Sequence, residues 1–172
     1  MTELYTTDYL DKIKLKKRNL MIAYFVLLSV AILIVSAIMI VYANEPFGTK
    51  LRLPFIIALV LICVIFVVYS FIFFNISYGR IKKYYNFVYY AIFSKQDVEK
   101  VTVIASDNQV REVLGVDFYT LTVLCWSNIE NDYVERNLYV DADLNVESFS
   151  KNDVLTVRLN SNYLVAYRKE NL

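Results

Sequence analysis

Two long stretches without a charged residue occupy much of the first half of the chain, at residues 20–42 and residues 54–77. As an α-helix, a stretch of this length reaches about 35 Å, which exceeds the hydrocarbon core of a bilayer at ~30 Å. The first stretch is also longer than the apolar region of a signal peptide, so we interpret it as a retained span. The pattern therefore predicts a transmembrane helical hairpin over residues 20–77.

The short connector between the two spans, residues 43–53, predicts that the helices run antiparallel. It contains the turn-forming residues Asn44, Pro46 and Gly48. Lysine and arginine concentrate on the cytoplasmic side of membrane proteins. Five basic residues precede the first span and four follow the second (Arg80, Lys82, Lys83, Lys95), whereas the connector carries only Lys50 and Arg52. We therefore expect a protein of the cell membrane with both termini in the cytoplasm, and residues 1–19 as a basic cytoplasmic segment.

After the second span, residues 78–96 read YGRIKKYYNFVYYAIFSKQ. Apolar and aromatic positions recur there with the period of one helix face, which predicts an amphipathic juxtamembrane helix hinged at Gly79. We favour a position of this helix at the lipid–water interface, where tyrosine rings are enriched and lysine side chains can extend toward the headgroups. The alternatives are packing on the following domain and, least favoured, stacking on nucleic acid. The candidate membrane-interface residues are Arg80, Lys82, Lys83, Tyr84, Tyr85 and Tyr89.

From residue 97 to residue 172 the pattern changes to short runs of β-branched and aromatic residues, several of them alternating with period two. Strands are predicted at 98–106, 116–126, 133–142, 153–160 and 163–170, with a hairpin turn at Asn160-Ser161-Asn162. The strand at 116–126 is apolar on both faces, which is typical of a central strand. Five strands in this length predict a small antiparallel β-barrel, OB-like or SH3-like, on the cytoplasmic side. The predicted fold class is thus membrane α + β.

The segment DADLNVESFSKNDVLTVRLNSNYLVAY, residues 141–167, combines a strand end with Asp, a loop, Asn-Asp, a strand, a polar turn and a final strand. In outline it resembles the C-terminal barrel of NfeD-type proteins. It also resembles uncharacterised two-span membrane proteins of low-GC Gram-positive bacteria. The resemblance implies a small barrel carried by a bacterial membrane protein, and it transfers no functional residue.

The composition excludes several kinds of catalytic and metal-binding site. Hydrophobic residues make up 58% of the chain and histidine is absent, so the usual general base and the usual zinc ligand are missing. No nucleophile or phosphate-binding motif occurs. Residues 101–172 carry eleven acidic and six basic residues, which disfavours a nucleic-acid partner. The carboxylate pairs Asp141/Asp143 and Glu130/Asp132 have a spacing that would suit Ca²⁺ or Mg²⁺, but strand ends also collect Asp for backbone reasons, and we favour the latter.

We accordingly expect no enzymatic activity, no catalytic residue, no cofactor and no metal. The favoured hypothesis is a membrane-anchored interaction or scaffold module that presents its β domain at the cytoplasmic membrane face. Its expected partners are the lipid bilayer and either another protein or further copies of itself. The alternative is an accessory subunit of a membrane transport or enzyme complex that acts through its transmembrane hairpin.

Overall fold

The structure is a computed structural model that describes residues 1–46, 52–113, 115–127, 129–144 and 146–170. The chain divides into two compact units. The helical unit comprises Lys14–Lys82, and the β unit comprises Met1–Ile13 with Lys83–Leu172. Residues 47–51 of the predicted connector, which include Gly48 and Lys50, lie outside the described residues.

Two long apolar helices are present, as predicted. Helix α1 runs over Thr7–Asn44 and so begins within the basic N-terminal segment. The Oγ1 atom of Thr6 caps it by accepting a hydrogen bond of 3.2 Å from the backbone N–H of Tyr9. Helix α2 runs over Arg52–Ile72. Both pass the length and hydropathy requirements of a membrane span.

The predicted hinge at Gly79 is wrong, because the backbone of Gly79 is helical, with φ −59° and ψ −46°. A π-helical segment, Phe73–Tyr78, joins α2 to helix α3 at Gly79–Phe93. A Cβ atom on residue 79 would lie 2.9 Å from the carbonyl oxygen of Phe74. The glycine is therefore required by the close backbone approach that the wider π turn creates.

Within the helical unit, the Tyr24 ring contacts several other aromatic rings. Its ring centroid lies 4.7 Å from that of Phe73 and 4.9 Å from that of Phe74. The Ser70 hydroxyl donates to the carbonyl of Phe66 at 2.8 Å, so Tyr24 donates to Ser70 Oγ at 2.9 Å. Most other large side chains of this unit face outward, and no residue of α2 is buried.

The β unit contains a mixed sheet. Its strands are β1 (Thr2–Glu3), β2 (Asp97–Val113), β3 (Val116–Ser127), β4 (Asp132–Asp141), β5 (Val154–Asn160) and β6 (Tyr163–Glu170). Strand β3 lies between β2 and β4, as predicted for a central strand, and β5 pairs with both β2 and β6. These ladders are antiparallel, but β4 and β6 are parallel. The prediction of an antiparallel sheet throughout is corrected by that pairing, which consists of Tyr139↔Tyr163 and does not close the sheet with a continuous ladder.

The core of the β unit is built from the inward faces of these strands. It includes Leu121, Val123, Leu138, Leu155, Val157 and Leu164, each at most 1% exposed. Helix α3 covers part of the outer face. Its Phe87 ring packs edge-on against Phe118 and Tyr163, with both centroid distances 5.2 Å, and Val88 and Ala91 are buried. Helix α3 therefore packs on the sheet through the face that carries Phe87, Val88 and Ala91.

Candidate functional site

The β unit contains a buried carboxylate, that of Asp141, the last residue of β4. Side chains alternate along a strand, and Val140 belongs to the core, so Asp141 projects from the opposite face. The residue is nevertheless only 1% exposed. A buried carboxylate requires hydrogen-bond donors, and the structure supplies them from two distant parts of the chain.

Three groups donate to Asp141. The Tyr84 hydroxyl donates to Oδ2 at 2.6 Å, and the Tyr5 hydroxyl donates to the same atom at 3.1 Å. The backbone N–H of Asp143 donates to Oδ1 at 2.9 Å. The Tyr9 hydroxyl lies 2.9 Å from that of Tyr84 and donates to it, because the Tyr84 proton is directed at Asp141. We call Tyr5, Tyr9, Tyr84 and Asp141 the tyrosine–carboxylate cluster.

Burial dominates the electrostatics of the tyrosine–carboxylate cluster. Desolvation raises the pKa of Asp141 above its ordinary value, although the hydrogen bonds from Tyr84, Asp143 and Tyr5 oppose that rise. Desolvation also raises the pKa values of Tyr5 and Tyr84, and the adjacent Asp141 raises both further. The two phenols therefore stay protonated at neutral pH and remain hydrogen-bond donors.

The hydrogen bonds of the tyrosine–carboxylate cluster link three segments of the chain. Tyr5 belongs to the N-terminal segment, whose strand β1 pairs with β6 and whose Leu4 N–H donates to the carbonyl of Val165 at 2.9 Å. Tyr84 belongs to α3, and Asp141 ends β4. The Tyr5 ring also packs edge-on against Phe87, with a centroid distance of 5.6 Å. The arrangement is suited to holding segments together, since hydroxyls and a carboxylate satisfy one another.

The carboxylates of the two pairs considered as metal sites differ in burial and in hydrogen bonding. Asp141 is buried and engaged, whereas Asp143 is exposed and its N–H completes a local turn onto Asp141. Glu130 and Asp132 are exposed near the β3–β4 turn. Among the described residues, no group of three or more Cys, Asp or Glu side chains is placed to hold a metal ion.

The six candidate membrane-interface residues lie on or just before the part of α3 that packs on the β unit. Arg80, Lys82, Lys83 and Tyr89 are exposed, and Tyr84 and Tyr85 are half-buried. The Tyr84 hydroxyl points at Asp141 in the contact between α3 and the β unit. A role at the lipid–water interface stays a prediction for these residues.

A second feature lies at the end of the β3–β4 hairpin. Trp126 and Tyr133 face each other across the two strands, with ring centroids 5.2 Å apart and nearly perpendicular. Both are exposed, at 48% and 61%, and Ile129 in the turn is 97% exposed. We call Trp126, Ile129 and Tyr133 the hairpin tip. Exposed carboxylates follow them closely in sequence: Glu130, Asp132 and Glu135.

Single exposed apolar side chains are common on protein surfaces, whereas an exposed contact between two large aromatic side chains is less so, which makes the hairpin tip a candidate site. The strand pattern of residues 116–126 does not distinguish Trp126 from its neighbours, so sequence reasoning did not identify the hairpin tip. It also did not identify Tyr5 and Tyr9, which meet Asp141 and Tyr84 only after folding. No family model, no curated protein and no solved structure matches this chain.

Proposed function

We propose that this protein is a non-enzymatic, membrane-anchored interaction module that presents its β domain at the cytoplasmic face of a bacterial cell membrane. The helical unit is the anchor, and the hairpin tip is the docking surface. The observation that carries the proposal is the exposed Trp126–Tyr133 pair, together with the exposed residues Ile129, Glu130 and Asp132 between the two rings in sequence.

Membrane insertion is supported by the outward placement of apolar side chains in the helical unit. Ile65, Val67 and Phe71 on α2 are 66%, 67% and 70% exposed. In water, this surface would expose far more apolar area than a soluble protein displays. The distribution of lysine and arginine supports cytoplasmic termini, since both ends of the helical hairpin are more basic than its connector.

The proposed architecture of the β domain is an OB-like barrel. Its support is the cyclic order of pairings, in which β2 contacts β3, β3 contacts β4, β4 contacts β6, β6 contacts β5 and β5 contacts β2. A partly open five-stranded barrel is the form that OB-folds take. The outline resemblance of residues 141–167 to NfeD-type barrels agrees with this proposal.

The composition of the hairpin tip defines the partner that it would bind. Tryptophan and tyrosine are enriched in the energetic centres of protein interfaces. The neighbouring carboxylates favour a partner that brings lysine or arginine, which can pair with Glu130 or Asp132 and lie over the Trp126 ring. The partner is therefore a protein with a basic surface, supplied by another protein or by a second copy of this chain.

The test is affinity purification of the full chain in native lipid discs, followed by mass spectrometry. The double substitution Trp126→Ser and Tyr133→Ser removes the aromatic pair, and Val110→Ser is the matched control on an exposed strand position of the same unit. We expect the control to retain the wild-type set of proteins and the double variant to lose at least one of them. Full retention by the double variant would contradict docking at the hairpin tip.

The alternative function, an accessory subunit acting within the membrane, is favoured by one observation. Two apolar grooves of about 310 Å³ each flank the helical pair, and Ala31, Ile62 and Phe66 line both. A further transmembrane helix could pack into either groove. Ala31→Leu, which fills them, would then remove a membrane partner that the substitutions at the hairpin tip leave in place.

A further inference from the structure

A groove of about 450 Å³ lies within the β unit, between α3 and the ends of the strands beneath it. Aromatic side chains line it, Phe87 and Tyr90 from the helix and Phe118 and Tyr163 from the sheet. Small-molecule sites occupy about 300–1,000 Å³ and are lined mainly by apolar and aromatic side chains with a few polar groups. The groove therefore has the volume and the lining of a small-molecule site.

The groove follows α3 for about two turns. Lys83, Asn86 and Tyr90 line it from successive turns of the helix, and the helix rises by about 10 Å from Lys83 to Tyr90. At the Tyr90 end, the side-chain amide of Asn160 donates to the carbonyl of Tyr90 at 2.8 Å, which joins the sheet to the helix. A ligand that lies along the groove thus has one end beside Lys83 and the other beside Asn160.

The β2–β3 turn sets the position of Lys83. Gly115 adopts φ +82° in that turn, a conformation that favours glycine. A Cβ atom on residue 115 would lie 2.7 Å from Lys83 Cδ and 3.3 Å from Lys83 Nζ. The lysine side chain therefore lies directly on the glycine, and Val113 and Val116, which flank the turn, line the groove. This contact holds the ammonium group at one end of the groove.

The charge of the groove is that of Lys83. No carboxylate occurs among the described lining residues, and within the described part of the chain Lys83 forms no salt bridge. An ammonium group beside apolar walls favours a ligand with a negative charge at one end. One positive charge balances the single negative charge of a carboxylate, whereas a phosphate monoester carries about −1.5 to −2 at neutral pH.

We propose that this groove binds a small carboxylic acid with an aromatic body. The carboxylate accepts hydrogen bonds from the Lys83 ammonium, and the aromatic body lies along α3 against Phe87, Phe118 and Tyr163. The length of the groove accommodates one ring joined to the carboxylate by a short chain. No residue of the hairpin tip lines the groove, so this site is additional to the proposed docking surface.

The test is a titration of the full chain in phosphatidylcholine discs with phenylbutyrate, followed by the methyl NMR signals of valine. Val113 and Val116 line the groove and report binding, whereas the buried Val165 does not line it and reports the integrity of the fold. We expect saturable shifts of the first two signals and no shift of the third. Phenylbutyramide has the same body without the charge, and we expect it to bind about fivefold more weakly.

A pair of neighbouring lysines separates the charge of the groove from the general charge of the helix. Lys83→Gln removes the proposed partner of the carboxylate. Lys82→Gln is the matched control, because Lys82 is also exposed and does not line the groove. We expect Lys83→Gln to lower the affinity for phenylbutyrate about fivefold and to leave that for phenylbutyramide unchanged. We expect Lys82→Gln to change neither affinity.

A further variant fills the groove without removing its charge. Asn86 is exposed and lines the groove, so Asn86→Trp places a bulky ring there. We expect it to lower the affinity for both probes while the Val165 signal stays unchanged.

Three results of the titrations would each overturn the proposal: shifts that do not saturate, equal affinity of the wild type for the two probes, and equal affinity of the variants of Lys82 and Lys83 for phenylbutyrate. Saturable binding that Asn86→Trp leaves unchanged would place the ligand outside the groove and would overturn the proposal as well.

Discussion

The two units of this protein use the same apolar residue types in opposite ways. In the β unit, Leu138 and Leu155 are fully buried, whereas in the helical unit Leu61 and Ile65 are 55% and 66% exposed. The hydrophobic effect drives apolar side chains away from water, which the β unit achieves with its own core. The helical unit does not bury its apolar side chains in this way, and the proposed insertion into lipid would remove their outward surface from water.

The units also differ in how they satisfy polar groups. In the helical unit, Ser70 bonds to the carbonyl of Phe66 on its own helix and accepts a single hydroxyl from Tyr24. In the β unit, Asp141 gathers donors from segments that are far apart in sequence. A carboxylate costs more to bury than a hydroxyl and needs more partners.

The largest contrast is expected from the same change made in each unit. Leu138→Ala leaves a cavity in a closed core and should lower the free energy of unfolding of the β unit by about 2–5 kcal/mol. Leu61→Ala removes atoms from an exposed surface of the helical unit and should change the free energy of unfolding of that unit by less than ~0.5 kcal/mol. Hydrogen exchange in lipid discs measures the first change at the β3 and β4 amides and the second at the α2 amides. Equal effects would break the comparison between the two units.

A charge placed on each exposed apolar surface sharpens the contrast next. Ile65→Arg lies in the middle of α2 and should oppose membrane integration by about 2.5–3.5 kcal/mol. Val98→Arg, at an exposed position of β2, should change integration and stability little, because its surface faces water. The measured quantity is the fraction of protein that resists alkaline carbonate extraction. Unchanged integration of Ile65→Arg would argue that the outward surface of α2 does not face lipid.

A smaller effect is expected from the tyrosine–carboxylate cluster. Tyr84→Phe leaves Asp141 without its shortest hydrogen bond and should lower the stability of the contact between α3 and β4 by about 1.5–3 kcal/mol. Tyr89→Phe is the control, because the Tyr89 ring is 44% exposed on the same helix. Hydrogen exchange of the α3 amides reports the difference. If the two variants exchange alike, the hydrogen bond contributes little.

The smallest expected effect is a dependence of stability on acid pH. The pKa of Asp141 is raised on folding, so its favourable contribution is complete below its ordinary pKa and is lost as pH rises through the folded value. The hydrogen bonds to the carboxylate lower its pKa and so oppose the rise that burial causes, which keeps the pH dependence small. Asp141→Asn removes this titration. The stability of the wild type relative to Asp141→Asn should therefore be greatest at acid pH, and a difference that grows with rising pH would contradict the assignment.

Much of the fold follows from local patterns. Five predicted strands coincide with β2 to β6. Strand β2 continues to Val113, and the prediction ended at residue 106 because residues 107–113 lack clear alternation. Strand β1 has two residues, which pair with β6, and a strand of two residues is too short to leave a periodic signal. In the β5–β6 hairpin, Ser161 rather than an asparagine adopts positive φ, at 54°. Turn propensity indicates where a chain reverses, but the strand register decides which residue takes the strained conformation.

By itself, the sequence determined the features that depend on rise and periodicity: two helices with long uncharged stretches, an amphipathic helix after them, and alternating strands. Only the tertiary structure decided which face of α3 would be covered. Several faces of that helix carry aromatic residues, and contact with Phe118 and Tyr163 selects Phe87 and Val88 while leaving Tyr89 exposed. The same holds for Asp141, whose partner Tyr5 is 136 positions away. Local spacing carries no information about such a pair, because its energy arises only once separate segments have enclosed the carboxylate.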